Sequence, residues 1–252
     1  MRTKTLLLSA AALLAAGIVT SQAQSPVYSQ NVVGYASIVA PSAFTLMTVP
    51  FQVGVSNGGN EVFGTSLPDG TQIYLWNATS GKFTVDYYDT GAVGPSQPWL
   101  MSDDATPTNA PILAPGQGFY LLAPGGVTNT FAGVVAVNVG ATNTLALGSF
   151  FNLVGSVIPA AGTVSNSIIN LGGPGTQPNG FNLPDGTQVF IYDSTHNKYV
   201  VNYFDTGAVG PSQPWCMSDD ATPTNAPSVS VGQGLFILPP GGATWSQTLP
   251  SN

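Results

Sequence analysis

Cations are almost missing from this sequence. Lys and Arg together number 4 in 252 residues, against 11 Asp and Glu, and the formal net charge is −7. So few cations cannot neutralise phosphates or release counterions, which argues against nucleic-acid binding. Anionic membranes are disfavoured for the same reason. There is one Cys and one His. A lone Cys allows no intramolecular disulfide, and one residue of each type allows no Cys/His zinc cluster. A chain of this length can bury a sizeable core without cross-links. Charged residues make up only 6%, too few to cover solvated helix faces. Beyond the N-terminus no apolar run approaches the about 20 residues that a membrane-spanning helix needs.

The N-terminus reads as a secretory signal over residues 1–23. Arg2 and Lys4 form a basic start, Leu6 to Val19 is apolar or small throughout, and Ser21-Gln22-Ala23 places small residues where a signal peptidase reads. The apolar run, at about 14 residues, is short for a membrane span. Cleavage after Ala23 leaves a mature chain from Gln24 with two cations, Lys82 and Lys198, against all eleven acids, a net charge of −9. The expected location is secreted or on the cell surface of a Gram-negative-type bacterium, with the periplasm as the alternative.

Gly (30) and Pro (21) are plentiful, alongside many Val, Thr, Tyr, Phe and Asn. These suit short strands and tight turns. The chain is expected to be all-β, with room for one short helix.

An internal repeat organises it. "LPDGTQIYLWNATSGKFTVDYYDTGAVGPSQPW" from Leu67 returns as "LPDGTQVFIYDSTHNKYVVNYFDTGAVGPSQPW" from Leu183, 116 positions later. From Asp89 to Pro111 and from Asp205 to Pro227 the copies differ only at Leu100 against Cys216. The match continues through "GQGFYLLAPGG" and "GQGLFILPPGG". More loosely, "AFTLMTVP" at 43–50 matches "FFNLVGSVIP" at 150–159. Each copy reads as an apolar strand, a variable Gly/Asn loop, a hairpin, a long polar loop and a closing strand. Gln72–Trp76 and Lys82–Tyr88 are β-rich runs around the turn-rich "NATSG". Asp69-Gly70 and Asp185-Gly186 mark the entering turns. The expected division is a signal at 1–23, a β-sandwich-like module at 24–135 and its duplicate at 136–252, with the seam near Gly133 to Ala141.

The "NLVGSVIP" strand, the "IYLWN…KFTVDYY" hairpin and the "PGQGFYLL" strand resemble a β module of exported verrucomicrobial proteins. A related pattern occurs in secreted Bacteroidetes surface proteins. The segment "YSQNVVGYASIVAPSAFTL" is similar to the mature N-terminus of the verrucomicrobial group, and the resemblance covers nearly all of the mature chain. Copy 1 departs from it at Ala43 and Thr45, where Gly and Asn are usual. The resemblance implies export and a β fold; the group is mostly without assigned function, so it implies no reaction.

Several residues invite a chemical reading. "YYDTGAV" and "YFDTGAV" put one Asp-Thr-Gly in each copy, which resembles the aspartic-peptidase signature. That chemistry needs Asp89 and Asp205 to share a proton about 3 Å apart. Against it, neither copy offers a convincing apolar-apolar-Gly segment to cross under the catalytic loop, and the identity between copies runs far beyond the triplet. The favoured reading is that both are turn residues bonding their own backbone. "SDDATPTN" offers Asp103, Asp104 and Asn109, and its copy Asp219, Asp220 and Asn225, as oxygen ligands for calcium. The alternating Asp spacing and closing Glu of a calcium loop are missing, so a solvated loop is favoured. Trp99 and Trp215 follow Pro in loops and are the candidates for stacking on a neutral glycan, set against packing as loop anchors. Trp76/Tyr192 and Tyr87/Tyr203 recur too, but within strands. His196, the single histidine, falls at a hairpin tip, where a surface role outweighs a Ser-His-Asp site. Cys216 replaces a Leu and reads as a core hydrophobe. "GGPGTQPNG" at 172–180 lacks the Lys and following helix of a phosphate loop.

The sequence thus points to a non-catalytic structural or adhesive β protein of the envelope or matrix, needing no cofactor unless calcium. Its expected partners are envelope or matrix proteins, neutral glycans or further copies of itself. A carbohydrate-binding module using the loop tryptophans is the first alternative, and an aspartic-type peptidase the second.

Overall fold

The computed structural model describes residues 32–64, 67–164, 169–171, 183–219 and 221–249. The expected signal at 1–23, the Gly-rich segment at 172–180 and Asp220 lie outside them.

In the first copy the strands are β1 (Val33–Ala40), β2 (Thr45–Thr48), β3 (Thr71–Asn77), β4 (Lys82–Tyr88), β5 (Trp99–Leu100), β6 (Gly118–Leu122) and β7 (Val127–Val134). In the second they are β8 (Thr142–Leu147), β9 (Asn152–Gly155), β10 (Gly162–Thr163), β11 (Ile169–Leu171), β12 (Thr187–Asp193), β13 (Lys198–Phe204), β14 (Trp215–Cys216), β15 (Ser228–Val229), β16 (Gly234–Leu238) and β17 (Ala243–Thr248). The main sheets have the orders β2-β6-β3-β4-β5 and β9-β16-β12-β13-β14, which are the same arrangement built twice. A second sheet covers each: β1-β7 in the first copy, β11-β17-β8 in the second. The fold is all-β, two duplicated sandwich-like modules, and the strands of each copy pair within that copy.

Alternation along the strands sets the cores. In copy 1, Ile73, Phe119, Leu121 and Met47 point from the main sheet toward Phe131 and Ala40 of the covering pair, with Phe63, Trp99 and Leu113 filling the ends. In copy 2, Val154, Val189, Leu235 and Ile237 meet Leu147 and Trp245. Equivalent positions trade volume between copies. Asn129 and Phe131 on β7 stand where β17 has Trp245 and Gln247. Of the two amides, Asn129 donates to the carbonyl of Val62 at 3.2 Å, and Gln247 accepts from the Val157 amide at 2.8 Å and the Ser156 hydroxyl at 2.9 Å.

Helix is limited to single turns, and there are three of them among the described residues where the sequence suggested room for one. Gly59–Phe63 forms in the variable loop. The carboxylate of Glu61 gathers the amides of Val55, Ser56 and Gly58 at 3.0–3.1 Å, closing the turn from below. Thr90–Val93 and Thr206–Val209 form where Asp-Thr-Gly occurs. Asn57 is buried beside the first turn with φ at 54°, a conformation Asn tolerates. Its carbonyl accepts from Val53 and Gly54, and its amide donates to Phe51 and Leu113.

The two copies belong to one compact unit. Thr48 donates its amide to Gly232 O at 2.9 Å, and Gly155 donates to Gly116 O at 2.9 Å. These are equivalent positions, so each copy gives the other what it receives. That reciprocity defines an isologous, two-fold-like contact. Isolated bridges Met47–Gln233 and Gln117–Val154 repeat the relation. The repeated Gly-Gln-Gly motif makes it possible. A Cβ on Gly234 would lie 2.7 Å from Met47 O, and one on Gly118 would lie 2.9 Å from Val154 N. Gly118→Ala and Gly234→Ala are therefore expected to cost about 1–3 kcal/mol each by overpacking. Thermal melts check this, with each kcal/mol worth about 2–4 °C.

Candidate functional site

The main sheets carry side chains on their second faces that are not polar. In β3, Tyr74 and Trp76 alternate with the core residues Ile73 and Leu75. The hairpin register places Phe83 opposite Trp76, and β6 adds Tyr120 opposite Tyr74. Phe44, just before β2, completes the set. Copy 2 repeats it as Phe190, Tyr192, Tyr199, Phe236 and Phe151. Leu46, Tyr120, Leu153 and Phe236 are buried where the two ring-bearing faces meet, and the remaining rings fan outward from them.

The result is two equivalent concave pockets. One, of about 290 Å³, is lined by Phe44, Tyr74, Phe83 and Tyr120 of the first copy and by Tyr192 of the second. The other, of about 260 Å³, is lined by Phe151, Phe190, Tyr199 and Phe236, with Trp76 reaching across from the first. Ring spacings agree pair by pair. Phe44–Tyr74 is 5.3 Å and Phe151–Phe190 is 5.4 Å. Phe44–Tyr120 and Phe151–Phe236 are both 5.9 Å. Across the seam Tyr120–Tyr192 is 5.6 Å and Trp76–Phe236 is 5.7 Å. Most of these contacts are edge-to-face, the arrangement the ring quadrupole favours, worth about 0.5–1.5 kcal/mol per pair beyond area. The Trp76 indole N–H donates to Phe151 O at 2.7 Å, locking it across the seam. The hydroxyls of Tyr74 and Tyr192 are turned to Gln72 and Asn197. Burial pushes the Tyr199 phenol up to about 12, so it stays neutral.

The residues singled out from sequence lie elsewhere. Trp99 and Trp215 are 1% and 2% exposed. They sit in the short strands β5 and β14, which add to the sheet edges. Trp99 also meets Tyr88 edge-to-face, presses on Gly59 and donates to Asn60 Oδ1 at 2.7 Å. A sugar needs an open ring face, so the glycan platform expected at these two tryptophans is corrected: both are anchors inside their own copies.

Asp89 and Asp205 each cap a helical turn. Asp89 Oδ1 accepts from Gly91 and Ala92 at 2.8 and 3.0 Å, and Asp205 does the same with Gly207 and Ala208. The threonine of the triplet binds a different carboxylate. Thr90 gives its amide and hydroxyl to Asp69 at 2.9 Å, and Thr206 gives both to Asp185. The glycine leaves room for the cap, since a Cβ on Gly91 would lie 3.2 Å from Asp89 Oδ1. All three residues of the motif thus have local structural work.

In the "SDDATPTN" loops, Asp103 accepts from the amides of Ala105 and Thr106 and from the Thr106 hydroxyl, and Asp219 repeats this with Ala221 and Thr222. The Thr hydroxyl first, then the amides, hold both carboxyls below their usual range. Asn109 and Asn225 are exposed, as is Asp104, with φ at 54°. Among the described residues no group of three His, Cys, Asp or Glu side chains comes together to hold a metal. His196 is exposed at the hairpin tip, 2.6 Å from Asp193, and Cys216 is fully buried.

The chain matches no protein-family model, no curated protein and no solved structure. What stands of the family resemblance is the pair of similarly built β modules.

The ring-bearing faces are not what the sequence alone suggests, since aromatics within strands read first as core. The signal is there all the same: "QIYLW" and "GFYLL" have no polar alternate positions after their first residue, as expected of strands covered on both sides.

Behind the first pocket, on the inner face of β4, lies buried Asp86, where copy 2 has Asn202. Desolvation raises its carboxyl above the ordinary value. A raised acid favours the folded state at low pH and loses that contribution as pH rises through the folded value. Asp86→Asn should therefore be neutral near pH 3 and stabilising at pH 7, by about 1 kcal/mol for a relieved buried polar group. Melting curves at both pH values check the sign.

Proposed function

We propose that the chain is an exported, non-catalytic structural or adhesive protein that works in the cell envelope or an extracellular matrix by joining to copies of itself. The observation that carries this reading is the state of β1. Among the described strands it lies at the edge of a two-stranded sheet, paired with β7 alone. Its outward side chains Val33, Tyr35 and Val39 are 71%, 79% and 67% exposed. Edge strands of monomeric proteins are commonly guarded by Lys, Pro or a bulge. The eight residues VGYASIVA have no charge and no Pro, and they run in unbroken register against β7. An edge of this kind is self-complementary, because two antiparallel copies offer each other the same amides and carbonyls about a two-fold axis. The counterpart face in copy 2 presents Thr142, Thr144 and Ala146, so the apolar edge is particular to the first copy. The signal-like N-terminus, the low charge and the resemblance to exported modules support the location.

Sedimentation velocity over a range of concentrations tests the reading. The protein is expected to associate, and Tyr35→Lys, which guards the edge with a charge, should shift the equilibrium toward monomer by about tenfold or more. A strictly monomeric protein at every concentration sinks it.

A further inference from the structure

We propose that the two ring-lined pockets at the seam are sites for quaternary ammonium groups, one per pocket. This stands apart from the β1 edge and rests on a different surface.

The first argument is the wall. Each pocket presents five aromatic rings from both copies. Phe83 and Tyr199, at the outer rims, remain 39% and 37% exposed, so the pockets are reachable from solvent. Polar groups are scarce in the lining, and the Tyr74 and Tyr192 hydroxyls are already turned to Gln72 and Asn197. A sugar brings many hydroxyls and needs several placed donors and acceptors. A primary ammonium brings three N–H donors that ring carbon leaves poorly satisfied. A trialkylammonium has no N–H, sheds its weak hydration readily and is drawn to ring faces by their quadrupole.

The second argument is charge. The chain has 11 acids against 4 Lys and Arg. The two cations among the described residues, Lys82 and Lys198, are each one position before a rim ring, so strand alternation places them on the opposite sheet face. Only aromatic side chains line the two pockets, and the summed field of the molecule attracts a positive ligand.

The third argument is repetition. The ring sets match position for position although the rings themselves have changed. Tyr74 corresponds to Phe190, Trp76 to Tyr192, Phe83 to Tyr199 and Tyr120 to Phe236. Every exchange keeps an aromatic face. Burial of apolar area alone does not require a ring at each of these positions.

The test uses the purified, unaltered protein with choline, its uncharged carbon isostere 3,3-dimethylbutan-1-ol, ethanolamine and a neutral cello-oligosaccharide. Trp99, Trp215 and Trp245 are buried, so a fluorescence change reports on Trp76, and aromatic NMR shifts report on both pockets. Choline is expected to saturate two sites, with the isostere and ethanolamine each weaker by about fivefold or more. Phe83→Leu and Tyr199→Leu keep an apolar side chain and remove a ring, so each should abolish one site and together both. A parallel arm with phosphatidylcholine vesicles separates the sources. Vesicle binding assigns the sites to a lipid headgroup, and choline binding without it assigns them to a soluble ligand. Equal binding of choline and its isostere overturns the proposal, as does oligosaccharide binding in place of choline, or the absence of saturation by choline at about 50 mM, a weaker affinity than a pocket of several desolvated ring contacts would give. The comparison of choline with its isostere needs no variant, so it decides the matter even if a mutant misfolds.

Discussion

A β-sheet with aliphatic side chains on one face and aromatic rings on the other has to be covered twice. In each copy the inner face is covered by the module's own second sheet. Among the described residues the outer face has no partner within the copy, and ring surface on that scale is costly to leave in water. The other copy supplies the cover. From this follow the reciprocal amide contacts of Thr48 and Gly155, the glycines of the Gly-Gln-Gly motif and the burial of Leu46, Tyr120, Leu153 and Phe236. Cover is complete at the centre of the seam and incomplete at its two ends. The pockets are what remains where one ring-bearing sheet runs past the reach of the other.

Much of the architecture is legible in the sequence, because it depends on local chemistry repeated twice. The all-β class, the duplication and the hairpins around "NATSG" and "STHN" depend on turn residues and alternation, which a single sequence displays. The turn role of Asp89 and Asp205 is also legible, since capping needs nothing farther than three residues away. The partner of Thr90 is not: Asp69 is 21 residues earlier, and nothing in the triplet names it. The tryptophans show the same limit more sharply. "PSQPW" has every mark of a loop, yet Trp99 joins a sheet edge and finds its acceptor on Asn60, in the stretch where the copies no longer align. A repeat reveals what both halves share and conceals what each has added to seal itself.

The copies have also diverged where each closes its own core. The inward residues of the last strand exchange order, Asn129 and Phe131 against Trp245 and Gln247, so the large ring and the amide swap ends. The two side chains meet different neighbours: the Asn129 amide donates to Val62, whereas the Gln247 carbonyl accepts from Ser156 and Val157. Where the copies touch each other, the aromatic character of the ring positions has been kept while their identity drifted. A change inside one module is answered locally, whereas a change at the seam must suit a surface that is itself descended from the same residues.

That reciprocity has a further consequence. In a symmetric homodimer any substitution is made twice, and both halves of the interface must accept it together. Once the halves are joined in one chain, a substitution is made once and its twin is left as it was. Trp76 lends its indole to one pocket and ties itself to Phe151 O, while Tyr192 lends a phenol to the other and turns its hydroxyl to Asn197. The fused chain therefore holds two versions of one binding surface, each free to be tuned without disturbing its sibling, on a frame that still folds as though the two were the same.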